Sequence, residues 1–291
     1  MAPRGVMTDF EGRVAVVTGA ASGIGLGLAT KAAALGMPVV MADIEKVALD
    51  EAAAEVSAVS GLGGKVLPVP TDASDAASVE QLAAAAVGAF GPVWLVCNNA
   101  GVAGGGFTWD IPRSTWEWVL GVNMWGIING IATFVPGMVE RGEGHVVNTA
   151  SMAGLLASPG MAPYTASKHA VVGISETLHR DLQLVGSGVG VSVLCPGFVN
   201  TRIAEADRNW PSRFGPLPVA EDNPMAELIR AALQARLAEG TPPSEVADTV
   251  FEAIATRRFW VLPHADEYAE HVRSRFDNAV EGRNPEPFVF Q

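Results

Sequence analysis

Short apolar runs rich in β-branched residues alternate with longer alanine-rich stretches, and this alternation restricts the possible folds more than any single motif does. The apolar runs predict strands at Val14–Thr18, Val39–Ala42, Lys65–Val69, Val93–Cys97, His145–Thr149, Val189–Leu194 and Phe259–Leu262. The stretches between them predict helices at Ile24–Leu35, Glu45–Val59, Asp75–Phe90, Ser114–Arg141, Ala162–Val185 and Ser244–Thr256. Most strand runs are apolar at successive positions, which is typical of a parallel sheet buried on both faces. We therefore predict an α/β fold, a doubly wound parallel sheet with right-handed crossovers, in a single domain.

Composition narrows the class of protein further. The 291-residue chain carries a formal net charge of −12 at pH 7, and such a surface repels phosphate backbones, so we expect no nucleic-acid partner. No uninterrupted apolar run is long enough to span a membrane, and the first residues lack the apolar segment of a secretory signal. Cys97 and Cys195 each end an apolar run, which favours buried free thiols in a reducing cytoplasm. The histidines are not spaced as metal ligands are, so we expect no metal.

A glycine-rich segment follows the first predicted strand and opens the first predicted helix. From Thr18 to Gly25 it reads TGAASGIG. Glycines at these positions permit a tight turn and let the backbone approach a pyrophosphate, which the helix N-terminus then faces. An ordinary glycine-rich turn is the alternative, but the strand–loop–helix placement favours dinucleotide binding.

Acidic residues end the second and third predicted strands. Asp43 can accept hydrogen bonds from both ribose hydroxyls of an adenosine and would repel a 2′-phosphate, so we predict NAD rather than NADP as the cofactor. Capping of the following helix is the alternative role for Asp43, and Lys46 is a nearby cation that could reach such a phosphate. Asp72 could hold the adenine edge or cap the next helix. The segment from Asn98 to Gly101 reads NNAG, and its small residues would let the backbone pass close to a cofactor.

Tyr164 and Lys168 lie four residues apart in a predicted helix, so they share one face one turn apart. A cation about 4 Å from a phenol supplies roughly 4 kcal/mol at an effective dielectric of ~20, enough to bring the tyrosine pKa from about 10 to about 7 before desolvation. The pair therefore predicts a proton donor and acceptor for alcohol oxidation. Ser151, just past the fifth strand, would donate to the substrate oxygen or serve as a helix cap. Asn123, in mid-helix, would bind a proton-relaying water or face solvent.

Together these motifs resemble the short-chain dehydrogenase/reductase family over roughly residues 13–201, where the TGxxxGIG and NNAG segments and Pro196-Gly197 occur in the family's order. The resemblance implies a Rossmann-type sheet with strand order 3-2-1-4-5-6-7. It also implies a catalytic set of Asn123, Ser151, Tyr164 and Lys168. The cofactor contacts it implies are Gly19, Ser22, Gly23, Ile24, Gly25, Asp43, Asp72, Ala73, Asn99, Ala100, Gly101, Tyr164, Lys168, Pro196, Gly197, Val199 and Thr201. Thr201 matches a position that contacts the nicotinamide carboxamide in relatives.

The predicted layout is an N-terminal arm at 1–12, a Rossmann-type domain at 13–264 and a C-terminal tail at 265–291. Residues from about 197 to 241 are too many for a simple crossover, so we expect a substrate-binding insertion there. Family members often form tetramers or dimers through the helices that correspond to Ser114–Arg141 and Ala162–Val185, so a homo-oligomer is expected.

Apolar side chains flank the predicted site: Met152, Leu155, Leu156, Met161, Phe198, Ile203, Trp210 and Phe214. Such a pocket favours a bulky hydrophobic alcohol or ketone, although Arg202, Arg208 and Arg213 lie in the same region. We therefore expect an NAD-dependent oxidoreductase that interconverts a hydrophobic secondary alcohol and its ketone. The alternatives are an NADPH-dependent 3-ketoacyl reductase, which Asp43 disfavours, a nucleotide-sensing relative without turnover, and an epimerase or dehydratase.

Overall fold

A computed structural model describes residues 9–59, 65–218 and 224–286 of the chain. Within these ranges the strands are β1 (Val14–Thr18), β2 (Val39–Asp43), β3 (Val66–Pro70), β4 (Val93–Asn98), β5 (His145–Thr149), β6 (Gly190–Leu194) and β7 (Trp260–Val261). They form one parallel sheet in the order β3-β2-β1-β4-β5-β6-β7, which confirms the predicted topology. The first eight residues of the predicted arm and the last five of the predicted tail lie outside the described residues.

The helices follow the strands in alternation, as predicted. In the described residues they are α1 (Gly23–Ala34), α2 (Lys46–Val59), α3 (Ala76–Phe90), α4 (Arg113–Leu120), α5 (Gly126–Arg141), α6 (Ala162–Leu184), α7 (Pro224–Ala238), α8 (Pro243–Thr256) and α9 (Ala265–Val280). Helices α7 and α9 were not predicted. Helix α7 lies within the predicted insertion and α9 within the predicted tail, and neither leads into a further strand of the sheet.

Two apolar layers enclose the sheet. Along β1, Ala15 and Val17 pack with α1 and α8 on one face, whereas Val14 and Val16 pack with α3 and α5 on the other. Every residue of β1, β4, β5 and β6 is buried, because helices cover both faces. The edge strand β3 is half-buried. The sheet is therefore a rigid platform, and functional groups converge at the carboxyl ends of its parallel strands.

The helix predicted at Ser114–Arg141 is interrupted. A π-helical turn, Gly121–Trp125, separates α4 from α5, and Asn123 lies within it, fully buried. Single π-helical turns inside α-helices are frequent at functional sites. Among the described residues, the stretch Arg113–Arg141 is long and apolar enough to cross a membrane by length and composition. In this fold it packs on α6 and on the sheet.

Close packing of α1 on α8 generates a first prediction. A Cβ built on Gly27 of α1 would lie 2.7 Å from the Pro243 carbonyl oxygen, a backbone atom that cannot rotate away. Gly27→Ala should therefore destabilise the protein by about 1–3 kcal/mol, outweighing the ~1 kcal/mol gain in helix propensity. Gly88→Ala is the matched control, since Gly88 is exposed on α3 and its Cβ would meet nothing within 4 Å. It should stabilise by about 0.5–1 kcal/mol. Urea unfolding followed by circular dichroism measures both, and similar gains for the two variants would contradict the expectation.

Candidate active site

The glycine-rich segment forms a turn of mostly small residues at the N-terminus of α1, and this turn is the cradle for a phosphate group. Gly19 and Gly23 have φ of +65° and +57°, in the region that favours glycine. A Cβ on Gly19 would lie 2.9 Å from Ala100 Cα, and one on Gly25 would lie 2.0 Å from the Gly19 carbonyl oxygen. Ser22 precedes α1, and its side chain makes no capping hydrogen bond. Bare backbone at a helix N-terminus fits a pyrophosphate, so the residues suit the dinucleotide that the motif predicts.

Hydrogen bonds tie the ends of β1, β4 and β5 together beside this cradle. Thr18 Oγ1 accepts from the backbone N–H groups of Asn99 and Ala100, at 2.9 and 3.0 Å. Asn99 Nδ2 donates to the Thr18 carbonyl oxygen at 3.0 Å, and Thr149 Oγ1 donates to Asn99 Oδ1 at 3.1 Å. Thr18 and Thr149 were not predicted as site residues, although each is the last residue of a predicted strand. The network holds the NNAG backbone against the glycine-rich segment.

Asp43 and Asp72 both order local backbone at the cleft. Asp43 Oδ2 accepts from the Ala21 N–H, within the glycine-rich segment, and Oδ1 accepts from the Glu45 N–H, both at 3.0 Å. Burial raises the pKa of Asp43, and these backbone hydrogen bonds oppose that rise. Asp72 Oδ1 accepts from Ser74 N and Oγ. Helix α3 is capped by Asp75 instead, so the alternative of Asp72 as the helix cap is wrong. Asp72 and Ala73 line the cleft.

Tyr164 and Lys168 meet at the cleft as their spacing predicts. Lys168 is 2% exposed, its Nζ donates to the Thr149 carbonyl oxygen at 2.8 Å, and this Nζ lies 5.5 Å from the centroid of the Tyr164 ring. Burial lowers the pKa of Lys168 to about 8. Burial raises the pKa of Tyr164, and a hydrogen bond with Ser151 lowers it. From the protein's own groups alone the Tyr164 pKa is thus raised, contrary to the simple Coulomb expectation, because desolvation of the phenolate is the largest effect.

Ser151 and Asn123 complete the group around Tyr164. Ser151 Oγ accepts from the Ala153 N–H at 3.1 Å, so Ser151 caps a short 3₁₀ turn while its hydroxyl also reaches Tyr164. Asn123 is 0% exposed, so the solvent-facing alternative is wrong. Its Oδ1 accepts from the Val102 N–H at 2.8 Å, and its Nδ2 donates to the Val102 carbonyl and to Ser167 Oγ, both at 3.0 Å.

The segment after β6 forms the remaining wall of the cofactor side. The Met152 N–H, next to Ser151, donates to the Pro196 carbonyl oxygen at 2.9 Å. A Cβ on Gly23 would lie 2.9 Å from Thr201 Cγ2, so Thr201 packs directly on the glycine-rich segment. Pro196, Gly197, Val199 and Thr201 all line the cleft. All the predicted cofactor residues except Gly25, which packs against the Gly19 carbonyl, therefore line one continuous space.

That space is a cleft of about 1690 Å³ that extends from the cradle past Tyr164 to the insertion. The predicted apolar residues that line it are Met152, Leu156, Met161, Phe198, Ile203 and Trp210. Leu155 is instead buried against α6, and Phe214 packs on Trp210 with ring centroids 5.6 Å apart, so these two lie beside the cleft without lining it. Tyr268 and His271 of α9 also line the cleft. Nothing local in the sequence indicated these last two residues.

Arginines near the cleft are already engaged. Arg202 pairs with Glu205 at 2.9 Å, and Arg208 pairs with Glu45 at 2.8 Å. The Arg213 guanidinium lies 4.7 Å from the centroid of the Phe214 ring, and that of Arg236 lies 5.2 Å from the centroid of Phe198. In the parts of the chain that the structure describes, no three His, Cys, Asp or Glu side chains cluster as a metal site requires.

Comparison with known proteins agrees with this geometry. A family model described as short chain dehydrogenase matches residues 13–212. The chain therefore belongs to the short-chain dehydrogenase/reductase family, and it is an oxidoreductase that acts on hydroxyl and keto groups. It is similar to 1-deoxy-11-beta-hydroxypentalenate dehydrogenase of Streptomyces exfoliatus, with 38% identity over 92% of this chain and 89% of the relative. It is also similar to the CLA biosynthesis dehydrogenase/reductase of Lactiplantibacillus plantarum, with 32% identity over 97% and 98%.

A solved structure extends the likeness to the whole fold. The crystal structure of a short-chain dehydrogenase/reductase from Burkholderia phymatum in complex with NAD has a TM-score of 0.93 and 43% identity to this chain. The match covers 98% of this chain and all of that one. The similarity therefore includes the insertion and the C-terminal helix as well as the sheet.

The buried lysine generates a second prediction. Native Lys168 loses its proton near pH 8, whereas in the unfolded chain it does so near 10.5. Between these values the unfolded state binds more protons, so stability rises with pH. Relative to Lys168→Met, which cannot titrate, the wild type should gain about 2 kcal/mol of unfolding free energy between pH 8 and pH 10. Other titrating groups are common to both proteins. Tyr164 and Cys195, the neighbours of Lys168, have pKa values raised by burial, so they stay protonated in the native state over this range and contribute little to the difference. Denaturant unfolding at several pH values measures the difference, and a flat or falling difference would contradict the lowered pKa.

Proposed function

We propose that the protein is an NAD-dependent dehydrogenase/reductase that interconverts a hydrophobic secondary alcohol and its ketone, with Tyr164 as the acid and base. One observation carries the proposal. The Tyr164 phenol, next to Ser151 and Lys168, lines the same cleft as the glycine cradle. The proposed proton donor and acceptor, Tyr164, and the proposed dinucleotide site therefore lie in one cleft, which also has an apolar lining.

The cofactor would be held by residues along the carboxyl edge of the sheet. The backbone at Gly19 and Gly23 would hold the pyrophosphate, with Gly25 permitting the close packing of the turn, Asp43 would hold the adenosine ribose, and Thr201 the nicotinamide side. When bound, an oxidised nicotinamide would supply the hydride acceptor and a positive charge beside the phenol. The raised pKa of Tyr164 in the protein alone keeps the phenol protonated, which suits it to protonate the oxygen of a ketone during reduction.

Each neighbour of Tyr164 has a distinct role in the proposal. The Ser151 hydroxyl donates to the substrate oxygen and stabilises its alkoxide character. The Lys168 ammonium stabilises the phenolate and offers its remaining N–H groups to a nicotinamide ribose. Asn123 holds the Val102 backbone and, through Ser167 Oγ, the first turns of α6, since that hydroxyl donates to the Tyr164 carbonyl. We therefore assign Asn123 a positioning role rather than the water relay first expected.

Two contacts support NAD over NADP. Asp43 lines the cleft, and in the proposed binding mode its carboxylate would face the adenosine ribose and repel a 2′-phosphate, because like charges at close range repel. Lys46, the cation that could have reached such a phosphate, forms an ion pair with Asp50 at 2.5 Å on α2. The similar protein from Burkholderia phymatum was crystallised with NAD. These observations also disfavour the 3-ketoacyl reductase alternative, which would use NADPH.

The lining of the cleft supports a hydrophobic substrate. Met152, Leu156, Met161, Ile203 and Trp210 face it, and the arginines at its wall already have carboxylate or aromatic partners. The name of the Streptomyces exfoliatus relative refers to a hydroxylated pentalenate, which has a hydroxyl group to oxidise.

We propose a homo-oligomer, dimer or tetramer, on the family resemblance.

The role of Tyr164 generates a third prediction. Tyr164→Phe should lower kcat by about 10³-fold, the size of a general acid–base contribution, while leaving the dissociation constant of NAD within about twofold. Turnover is measured by reduced-nicotinamide absorbance over a panel of secondary alcohols, and NAD binding by calorimetry. Tyr268→Phe is the matched variant, because the chain has only two tyrosines and the Tyr268 ring keeps its contact with Gly197. It should lose less than about tenfold.

Three outcomes would decide against the proposal. Retention of most activity by Tyr164→Phe would remove Tyr164 as the base. Turnover of only small polar or acidic alcohols would remove the hydrophobic substrate. NAD binding without turnover across the whole panel would favour the nucleotide-sensing alternative.

Cofactor choice generates a fourth prediction. Wild-type kcat/KM should be about 10²-fold higher with NAD than with NADP, and Asp43→Ala should reduce that ratio by at least about tenfold, because the repulsion of the 2′-phosphate is removed. Asp248→Asn is the control, since Asp248 pairs with Lys31 and does not line the cleft, and it should leave the ratio unchanged. Initial rates with the two cofactors at matched alcohol concentration measure the ratio. A wild-type preference for NADP would overturn the assignment.

A further inference from the structure

His264 connects β7 to α9, and both of its ring nitrogens are engaged. Its Nδ1 accepts from the backbone N–H of Gly197 at 3.0 Å, and its Nε2 lies 2.8 Å from Thr241 Oγ1. A backbone N–H can only donate, so Nδ1 must be the unprotonated nitrogen. The ring is therefore neutral, its proton is on Nε2, and it donates to the Thr241 hydroxyl.

The first partner of His264 belongs to the wall of the proposed cofactor site. Gly197 follows Pro196, whose carbonyl oxygen accepts from the Met152 N–H next to Ser151. A Cβ on Gly197 would lie 2.8 Å from Tyr268 Cε2 and 3.1 Å from His264 Cγ, so the Gly197 backbone rests directly on these two rings. His264 thus holds the backbone one residue after the Pro196 carbonyl that contacts Met152.

The second partner, Thr241, joins the two ends of the insertion. We call this junction, residues 198–200 with 240–241, the neck of the insertion. Thr241 N–H donates to the Phe198 carbonyl oxygen at 3.1 Å, and Thr241 carbonyl oxygen accepts from the Asn200 N–H at 3.0 Å. A Cβ on Gly240 would lie 2.8 Å from the Phe198 carbonyl carbon, so the two chain segments are in close contact there. The segment between these points supplies Ile203 and Trp210 to the cleft.

We propose that His264 is a positioning residue that clamps the Gly197 backbone and the neck of the insertion with one neutral imidazole. One ring nitrogen of His264 holds the Gly197 backbone, beside the proposed nicotinamide site, and the other holds Thr241, at the base of the insertion that lines the proposed substrate site. The imidazole therefore fixes the positions of these two segments relative to each other. This role rests on the proposed function of the cleft. His264 itself touches neither the reacting atoms nor Tyr164 in this assignment.

The two hydrogen bonds can be removed separately. In His264→Asn the side-chain oxygen replaces Nδ1 and keeps the Gly197 bond, but the side chain is too short to reach Thr241. Thr241→Val removes the hydroxyl and leaves the Gly197 bond intact, whereas Thr241→Ser keeps both bonds. His264→Ala removes both. The measurements are NAD dissociation constants by calorimetry, kcat and KM for an alcohol that the wild type oxidises, hydrogen exchange of peptides that span 196–210, and Tm.

We expect loss of the Gly197 hydrogen bond to weaken NAD binding and loss of the Thr241 hydrogen bond to raise the alcohol KM. His264→Ala should weaken NAD binding and raise the alcohol KM, each by about tenfold, the upper end for one net hydrogen bond. His264→Asn should recover most of the NAD affinity and keep the raised KM. Thr241→Val should raise KM alone, with faster exchange in the insertion, and Thr241→Ser should match the wild type.

Equal losses of NAD affinity in His264→Asn and His264→Ala would overturn the Gly197 half of the clamp. Indistinguishable Thr241→Val and Thr241→Ser would overturn the Thr241 half. If the losses of NAD affinity and the increases in KM only followed the decrease in Tm across the variants, His264 would have a general structural role and the clamp would be wrong. If the wild type oxidises no alcohol, the proposed function fails, but NAD affinity and exchange still decide the clamp.

Discussion

A buried ammonium group is the constraint around which the site is arranged. Lys168 is almost entirely removed from water, and a charge in such a place is costly unless it has polar partners. Its direct partner is the carbonyl oxygen of Thr149 at the end of β5, and the aromatic face of Tyr164 lies close by. The lowered pKa of Lys168 records the part of the desolvation cost that these contacts leave uncompensated. In the proposed function, nicotinamide ribose hydroxyls would be further partners.

The parallel sheet makes this arrangement possible, because all strand ends point to one edge. Thr18 and Thr149 end β1 and β5, Asn99 follows β4, and the three are linked there by hydrogen bonds. The same edge receives the glycine cradle and the Pro196–Gly197 backbone. The sheet is covered by apolar helices on both faces. It can therefore hold side chains from distant parts of the chain within hydrogen-bond distance of each other.

Several residues serve local structure and the cleft at the same time. Ser151 caps a 3₁₀ turn and also reaches Tyr164, and Asp43 orders the backbone of both Ala21 and Glu45 while lining the cleft. From the sequence, capping and a functional role were alternatives for these residues. The structure shows that one carboxylate or hydroxyl has enough lone pairs to satisfy nearby N–H groups and still face the cleft. Asp72 likewise accepts from Ser74 N and Oγ while lining the cleft, and Asp75 caps the helix in its place.

The amino-acid sequence by itself determined the strands, most of the helices, the glycine cradle and the Tyr164–Lys168 pair, since apolar periodicity and residue spacing are local properties of the chain. Only the tertiary structure decided that Asn123 is buried in a π-helical turn, that α9 brings Tyr268 to the cleft, and that His264 joins Gly197 to Thr241. It also decided that Leu155 and Phe214 pack beside the cleft without lining it, and that burial raises the pKa of Tyr164 by more than the Ser151 hydrogen bond lowers it. These features depend on contacts between distant segments and on how far those contacts exclude water. The spacing of neighbouring residues in the sequence encodes neither the contacts nor the exclusion of water.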